Sequence, residues 1–393
     1  MKKILILGAG IYQVPLIKAA QKLGIYTIVA SIAGDYPGFE IADKVYYENT
    51  TDYQKILNIA RLEHIDGIIT AGTDVAVITI GKVCDALGLS GLSFSAAEIA
   101  TDKLLMKEKY EQFGVRTARY RKVNFDDASY KQLIVNLALP LMFKSVDSSG
   151  SRGIVKVNDP DEFDAARETV LQNTRSDYFI VEEFIEGEEY GAQAFVSGGE
   201  VKFILPHGDY VFEGDTGVPI GHFAPYSMSS ESAEDTKVQL RLAIKAMGLD
   251  NCAINADFIM KDDKAYVLEI GGRSGATCLA ELVSIYYGYD YYEKIILTAL
   301  GEDVDFTPLS HEVPNASRLL MSDKDGTIIS QKNLNPDNNN IVDVQFDYEI
   351  GAKVHKFRVG PHRIGHIITK GKTLEDAVKT LDKAMNNIKI EVS

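Results

Sequence analysis

Short apolar runs alternate with longer stretches of helical spacing over the first hundred residues. Lys3 to Leu7 is an apolar strand, Gln13 to Leu23 carries apolar side chains at helical spacing, and Thr27 to Ser31 is a second strand. Tyr53 to Leu62 predicts another helix, Gly67 to Thr70 a third strand and Val75 to Leu87 a further helix. Strands and helices alternating at this length predict a parallel sheet covered on both faces. Gly8-Ala9-Gly10, between the first strand and helix, invites a dinucleotide-binding reading. Gln13 stands where that motif wants its third glycine, and the second strand ends Ala30-Ser31-Ile32-Ala33 without an acidic residue. A tight strand-to-helix turn is therefore the expected reading.

After Ser95 the pattern changes. Thr101 to Phe113 predicts a helix, and Pro140 to Val146 with Ile154 to Val157 predicts a hairpin around Asp147-Ser148-Ser149-Gly150-Ser151-Arg152-Gly153. Small residues let several backbone N–H groups approach phosphate oxygens. No Gly-Lys-Ser/Thr follows, so this is not a P-loop, and alone it reads as a surface turn. Lys144, in an otherwise apolar strand, must be edge-exposed, paired or aimed into a cleft. Tyr178 to Val181 leads into Glu182-Glu183-Phe184-Ile185-Glu186-Gly187-Glu188-Glu189-Tyr190. That acidic stretch is either a solvated turn or an edge offered to an adenine ring and a ribose.

Asn255 to Arg273 reads as a hairpin. Asp257 and Glu269 are equidistant from Asp263, so an odd loop centred there sets the two acids opposite each other. The same register assigns Phe258, Met260, Tyr266, Leu268 and Ile270 to the other, apolar face. A two-residue turn would instead send the acids to opposite faces. Opposed carboxylates repel unless a proton or cation intervenes, and a pair with room for phosphate and water suits Mg2+. An exposed acidic hairpin is the bland alternative.

Composition narrows the class. The 393 residues suggest two to three domains, and 46% hydrophobic with 25% charged residues is ordinary for a globular chain. The formal charge of −15 argues against a nucleic-acid or anionic-membrane surface. No apolar run is long enough to span a bilayer, and the apolar start breaks at Gly8, too early for a secretory signal. Cys84, Cys252 and Cys278 are far apart, without disulfide or zinc spacing. The expectation is a cytoplasmic protein.

The ordered series Asp102-Lys103, Phe143-Lys144 with the 148–153 loop, Val181 to Glu189, and Asp257-Phe258 with Leu268-Glu269-Ile270-Gly271-Gly272-Arg273 resembles the ATP-grasp superfamily of carboxylate ligases. The resemblance implies an α/β chain: an N-terminal parallel-sheet preATP-grasp domain (1–100), a two-lobed α+β ATP-grasp fold (101–300), and a C-terminal accessory α+β portion (301–393) completing the core. It implies ATP and Mg2+ as cofactors, with Mn2+ as a substitute. By the same resemblance Lys103 and Lys144 contact phosphates, and Ser148, Ser149, Gly150, Ser151 and Gly153 close over them. Glu182, Glu183, Phe184 and Ile185 would line the adenine hinge, Glu189 would hold the ribose, and Asp257 with Glu269 would bind the metal. Arg273 and Lys144 would neutralise the reacting phosphoryl group, with His222, Ser274 and Gly275 near the substrate. The family often has Asn two residues after the second acid; here that position is Gly271, leaving the metal one protein ligand short, with water as a substitute.

The implied reaction is phosphorylation of a carboxylate to an acyl phosphate, then capture by an amine. The expected partners are small-molecule carboxylate and amine substrates, and a homodimer, with neither nucleic acid nor membrane. The rival readings are a carboxylase working through carboxyphosphate and a nucleotide-binding regulator without turnover. His222 reads first as an ordinary structural or surface histidine, and second as a residue at the substrate cleft. Val304 to Val313 reads as a linker and Asn333 to Asn340 as an exposed loop. Thr373 to Ile388 is a helix capped by Thr373, its stripe of Leu374, Val378, Leu381, Met385 and Ile388 packed on the C-terminal strands.

Overall fold

The computed structural model describes residues 1–148, 153–213, 217–309 and 312–393. Ser149, Gly150 and Ser151 of the expected glycine loop lie outside the described residues.

The first region forms a parallel sheet of Lys44–Tyr47, Tyr26–Ser31, Lys3–Leu7 and Gly67–Ile69, in that order. The strand Lys44–Tyr47 escaped the sequence reading because it is a half-exposed edge rich in tyrosine. Gln13 fills the space above Gly8, where a Cβ would lie 3.0 Å from its side chain, and its amide donates to the Ala71 carbonyl. The turn is thus packed by its own side chain, as expected of a plain strand-to-helix connection.

The helix expected over Thr101 to Phe113 forms as Lys103–Phe113, with a further helix just before it. Phe94–Thr101 ends at Asp102, whose carboxylate accepts from the N–H groups of Leu104 (2.8 Å) and Leu105 (3.0 Å) and starts Lys103–Phe113. An N-cap side chain satisfies donors that have no intrahelical partner, so Asp102 starts the second of these helices. Lys103 is thereby placed in the first helical turn.

A small antiparallel sheet orders Tyr120–Asn124, Tyr178–Glu183, Leu141–Ser145 and Ile154–Val157. A larger sheet of eight strands runs Lys264–Gly271, Cys252–Lys261, Glu188–Ser197, Glu200–Val211, Pro219–Ala224, Asn315–Leu320, Gly365–Lys370 and Ile341–Phe346. Residues beyond 314 therefore extend the sheet that carries the acidic hairpin. The helix Leu374–Asn386, capped by Thr373, lays Val378, Leu381 and Met385 against these strands. Ile388 has left the helix and opens the strand Ile388–Val392. Among the described residues of 304–313 there is neither helix nor strand. The described residues contain no helix long and apolar enough to cross a membrane. Cys84, Cys252 and Cys278 are free and buried.

Candidate active site

The hairpin turn is not the odd loop expected. Lys261 pairs with Lys264 across a two-residue turn in which Asp262 and Asp263 both have positive φ (50° and 58°). That turn alone would separate the acids. A bulge between Asp257 and Phe258 on one strand, opposite Leu268, shifts the register by one, and Asp257 pairs with Glu269 after all. The apolar assignment changes with it. Phe258, Val267 and Ile270 enter the main core, whereas Tyr266 and Leu268 turn to the acids' face, where they pack with Ile259, Ala118 and Ile185. Met260 and Ile270 stay on the face expected of them.

The same face continues across the sheet. Asp257 lies opposite Gly191, which lies opposite His207, and Asp209 lies opposite His222. Directly paired residues project from one face, as do residues two apart on a strand. Gly191 is required here: a Cβ would sit 2.2 Å from the His207 ring, which lies over the glycine. Glu189, exposed and opposite Ile259, belongs to this face too. Asp257 keeps a solvent-exposed edge, yet the protein around it and then the charge of Glu269 push its carboxyl up to about 7. A proton or a cation relieves the repulsion between the two acids, and hard carboxylate oxygens are the ligand type that suits Mg2+.

One lysine reaches this pair, and two more reach Glu182. Lys103 Nζ lies 3.2 Å from Glu269 and donates to the Ser148 carbonyl at 2.7 Å. Lys144 reaches Glu182 at 2.7 Å, and Lys107, one helical turn beyond Lys103, reaches the other oxygen of Glu182 at 3.1 Å. Burial opposes the charge on Glu182, but Lys107 and Lys144 prevail and hold it well below the usual carboxylate range. Lys107 is itself buried, which pulls its ammonium down. The sequence reading missed Lys107, although its i, i+4 spacing from Lys103 placed it on the same helix face.

The hinge is narrower than expected. Glu182 turns inward to the lysines, and its neighbour Glu183 turns away to Arg119 Nη1 and the Ala138 N–H, both at 2.9 Å. Alternation along the strand dictates this split. The Phe184 N–H bonds the Pro140 carbonyl, and its ring is covered by Lys156. Of the four expected hinge side chains, Ile185 alone joins the apolar patch of Ile259, Tyr266 and Leu268. Gly153, with φ of 64°, closes the hairpin by accepting from the Ser145 N–H at 2.9 Å.

Arg273 is not free-standing. Its Nε and Nη2 bind the Asp74 carboxylate at 2.9 and 2.8 Å, and its third nitrogen reaches the Ser274 carbonyl. Asp74, in the loop after Gly67–Ile69, carries no local signal that would have revealed it. The pair also accounts for Gly271. A Cβ there would lie 3.0 Å from Asp74 Oδ1 and in ordinary contact with Arg273 Cζ, so the usual Asn would press on the Asp74 carboxylate. Directly opposite Gly271 stands Asn255, two residues before Asp257 and on the acids' face. Asn255 thus carries an amide side chain directly across the hairpin from position 271.

Asn255 Oδ1 accepts from Gln193 Nε2 at 2.7 Å, and Gln193 Oε1 accepts from the Gly275 N–H at 2.9 Å. Ser274 is buried, and its hydroxyl has no hydrogen-bond partner among the described residues. His222 is buried too, its Nδ1 2.6 Å from Asp209 Oδ1, to which His207 Nδ1 also points at 3.0 Å. His207 and Asp209 were overlooked, although two-residue spacing in a strand would have placed them on one face.

Known proteins fit this geometry. Residues 101–277 match the phosphoribosylglycinamide synthetase ATP-grasp (A) domain, and residues 318–393 match L-amino acid ligase C-terminal domain 2. The alanine–anticapsin ligase of Bacillus subtilis strain 168 is 23% identical over 295 residues, which are 68% of this chain and 62% of that ligase. The formate-dependent phosphoribosylglycinamide formyltransferase of Methanocella arvoryzae is 24% identical over 409 residues, 100% of this chain and 93% of that protein. The crystal structure of phosphoribosylglycinamide synthetase from Anaerococcus prevotii superposes with a TM-score of 0.86 at 36% identity, covering 100% of both chains. With a whole-length relative at that identity, and the match of residues 101–277 to an ATP-grasp domain, the chain belongs to the ATP-grasp family of ligases.

Proposed function

We propose that this protein is an ATP- and Mg2+-dependent carboxylate–amine ligase that works through an acyl phosphate. The supporting observation is the Asp257–Glu269 pair, faced by Lys103 and flanked by Lys144 and the Asp74-held Arg273. A free carboxylate is a poor electrophile, because its leaving group would be oxide; phosphorylation supplies a good one. Mg2+ bound by Asp257 and Glu269, with Asn255 beside them, would neutralise phosphate charge. Lys103 and Lys144 bind phosphate oxygens, and Arg273 offsets the charge that accumulates during transfer. Ile185, Ile259, Tyr266 and Leu268 give the adenine an apolar seat, and Glu189 reaches the ribose. Ser148 and Gly153 flank the phosphates, and Ser274 and Gly275 border the carboxylate substrate.

The C-terminal match to amino-acid ligases favours an amino acid as one substrate. A second reading, with a one-carbon acid as donor, draws on the whole-length likeness to the formate-dependent enzyme; bicarbonate, through carboxyphosphate, is the other acid of this kind. A screen of amino acids, formate and bicarbonate for acid-dependent ADP release, with hydroxylamine as the nucleophile, separates these. Hydroxamate from an amino acid supports the first reading, from formate the second; ADP that requires bicarbonate identifies a carboxylase. ATP binding without ADP release under any pairing would leave a regulator.

A further inference from the structure

An amine substrate arrives at neutral pH as an ammonium ion, which has no lone pair with which to attack. The proposed ligase therefore needs a proton acceptor beside the acyl phosphate. His222 is the candidate. It projects from the face that carries Asp257 and Glu269, two strands beyond Gly191 in the same sheet. Its ring is buried, and its Nδ1 lies 2.6 Å from Asp209 Oδ1. A carboxylate at Nδ1 fixes the proton there, leaves the Nε2 lone pair available, and stabilises the imidazolium that forms.

His207 completes the arrangement. Its Nε2 lies 3.5 Å from Gln193 Nε2, a donor whose orientation is set because Gln193 Oε1 already accepts from the Gly275 N–H. The His207 proton therefore belongs on Nδ1, where it is donated to Asp209 at 3.0 Å. This tautomer also disfavours a metal ion among His207, Asp209 and His222, since no Nδ1 lone pair is left to bind one. Asp209 instead receives two N–H groups that hold it in place. The chain Gly275–Gln193–His207–Asp209–His222 links the loop after Arg273 to the histidine. Asn255 joins it at Gln193.

We propose that His222 is the proton acceptor for the incoming amine and that Asp209 positions it, an assignment that rests on the ligase reading. The ammonium gives one proton to His222 Nε2. The freed amine attacks the carbonyl carbon, the C–N bond forms and the C–O bond to phosphate breaks. Phosphate leaves with the electron pair and takes the second nitrogen proton, and His222 returns its proton to water.

Hydroxylamine tests this, because it is weakly basic and already unprotonated at neutral pH. In His222→Gln, amide synthesis should fall on the order of 10²–10⁴-fold, the usual reach of a general base, with a much smaller loss of hydroxamate formation. Asp209→Asn should move the ratio of amide to hydroxamate in the same direction. Thermal melting checks the fold of each, and His222→Asn replaces the first variant if it is unstable. Equal losses of amide and hydroxamate in folded variants, or no loss of either, would overturn the assignment while leaving the ligase reading intact. A wild-type protein that forms no hydroxamate with any acid would overturn both.

Discussion

Asp257 and Glu269 face one another because a one-residue bulge at Leu268 undoes the register of a two-residue turn. Bulges re-aim side chains, and here the extra residue sets both carboxylates on one face of the sheet. Asp257→Asn and Glu269→Gln should each leave melting behaviour close to wild type. Each should reduce Mg2+-dependent ADP formation on the order of 10²–10³-fold, the loss usual when a group stabilising transition-state charge is removed. Unchanged rates at limiting Mg2+ would remove these acids from the metal site.

The raised pKa of Asp257 gives this pair a pH dependence. Enclosure by the protein, and then Glu269, favour the protonated acid up to about pH 7. Without metal, the folded state binds more protons than the unfolded one between about pH 4, the ordinary Asp range, and 7, so stability falls as pH rises through that window. Metal needs the ionised form. Mg2+ affinity should accordingly weaken as pH falls below 7, by less than the roughly tenfold per unit of full competition with one proton, because Asp257 is exposed to solvent. Calorimetric titration with Mg2+ at pH 5.5, 6.5 and 7.5 measures it, and Asp257→Asn should abolish the slope.

Glu182 shows the opposite sign. Lys107 and Lys144 hold its carboxylate low against the effect of burial, so its stabilisation is present above the ordinary Glu pKa of about 4.3 and is lost as pH falls toward the lowered value. Lys107→Met removes one partner and leaves a buried charge half-compensated. The cost should be about 3 kcal/mol, the lower end for breaking a buried pair because Lys144 remains. The acid unfolding midpoint should move upward, and Lys107→Met/Glu182→Gln should recover part of the loss.

Gly271 and Asn255 form a second exchange across the hairpin. Asn255→Ala should weaken Mg2+ binding by about 10–100-fold if its amide supports the metal site. Gly271→Asn, which restores the family's usual residue, should lower turnover because its Cβ would press on Asp74 and loosen Arg273. Full activity in Gly271→Asn would show that the Asp74–Arg273 pair tolerates displacement.

What the sequence made legible follows from distance along the chain. The parallel sheet, the 141–157 hairpin and the 374–386 helix follow local periodicity, and local periodicity predicted them. The opposition of Asp257 and Glu269 was also predicted, but through the wrong turn, since a bulge leaves no mark in a hydrophobic pattern. Tyr266 and Leu268 were assigned to the wrong face for the same reason. Asp74 and Arg273 are separated by 199 residues, a contact that depends on how the first sheet sits against the second, which no spacing rule reaches. Lys107 and Asp209, by contrast, obeyed simple helical and strand periodicities relative to Lys103 and His207.

In the proposed reaction ATP activates a carboxylate as an acyl phosphate beside Lys144, Asp257, Glu269 and Arg273. The direct measurement uses the donor acid identified by the hydroxylamine screen, labelled with ¹⁸O in its carboxyl group. Inorganic phosphate released during amide synthesis is then analysed by mass spectrometry. The account predicts one ¹⁸O atom in each phosphate, carried over from the acid when the acyl–oxygen bond breaks. Phosphate released without label, while ADP and amide still form, would contradict it.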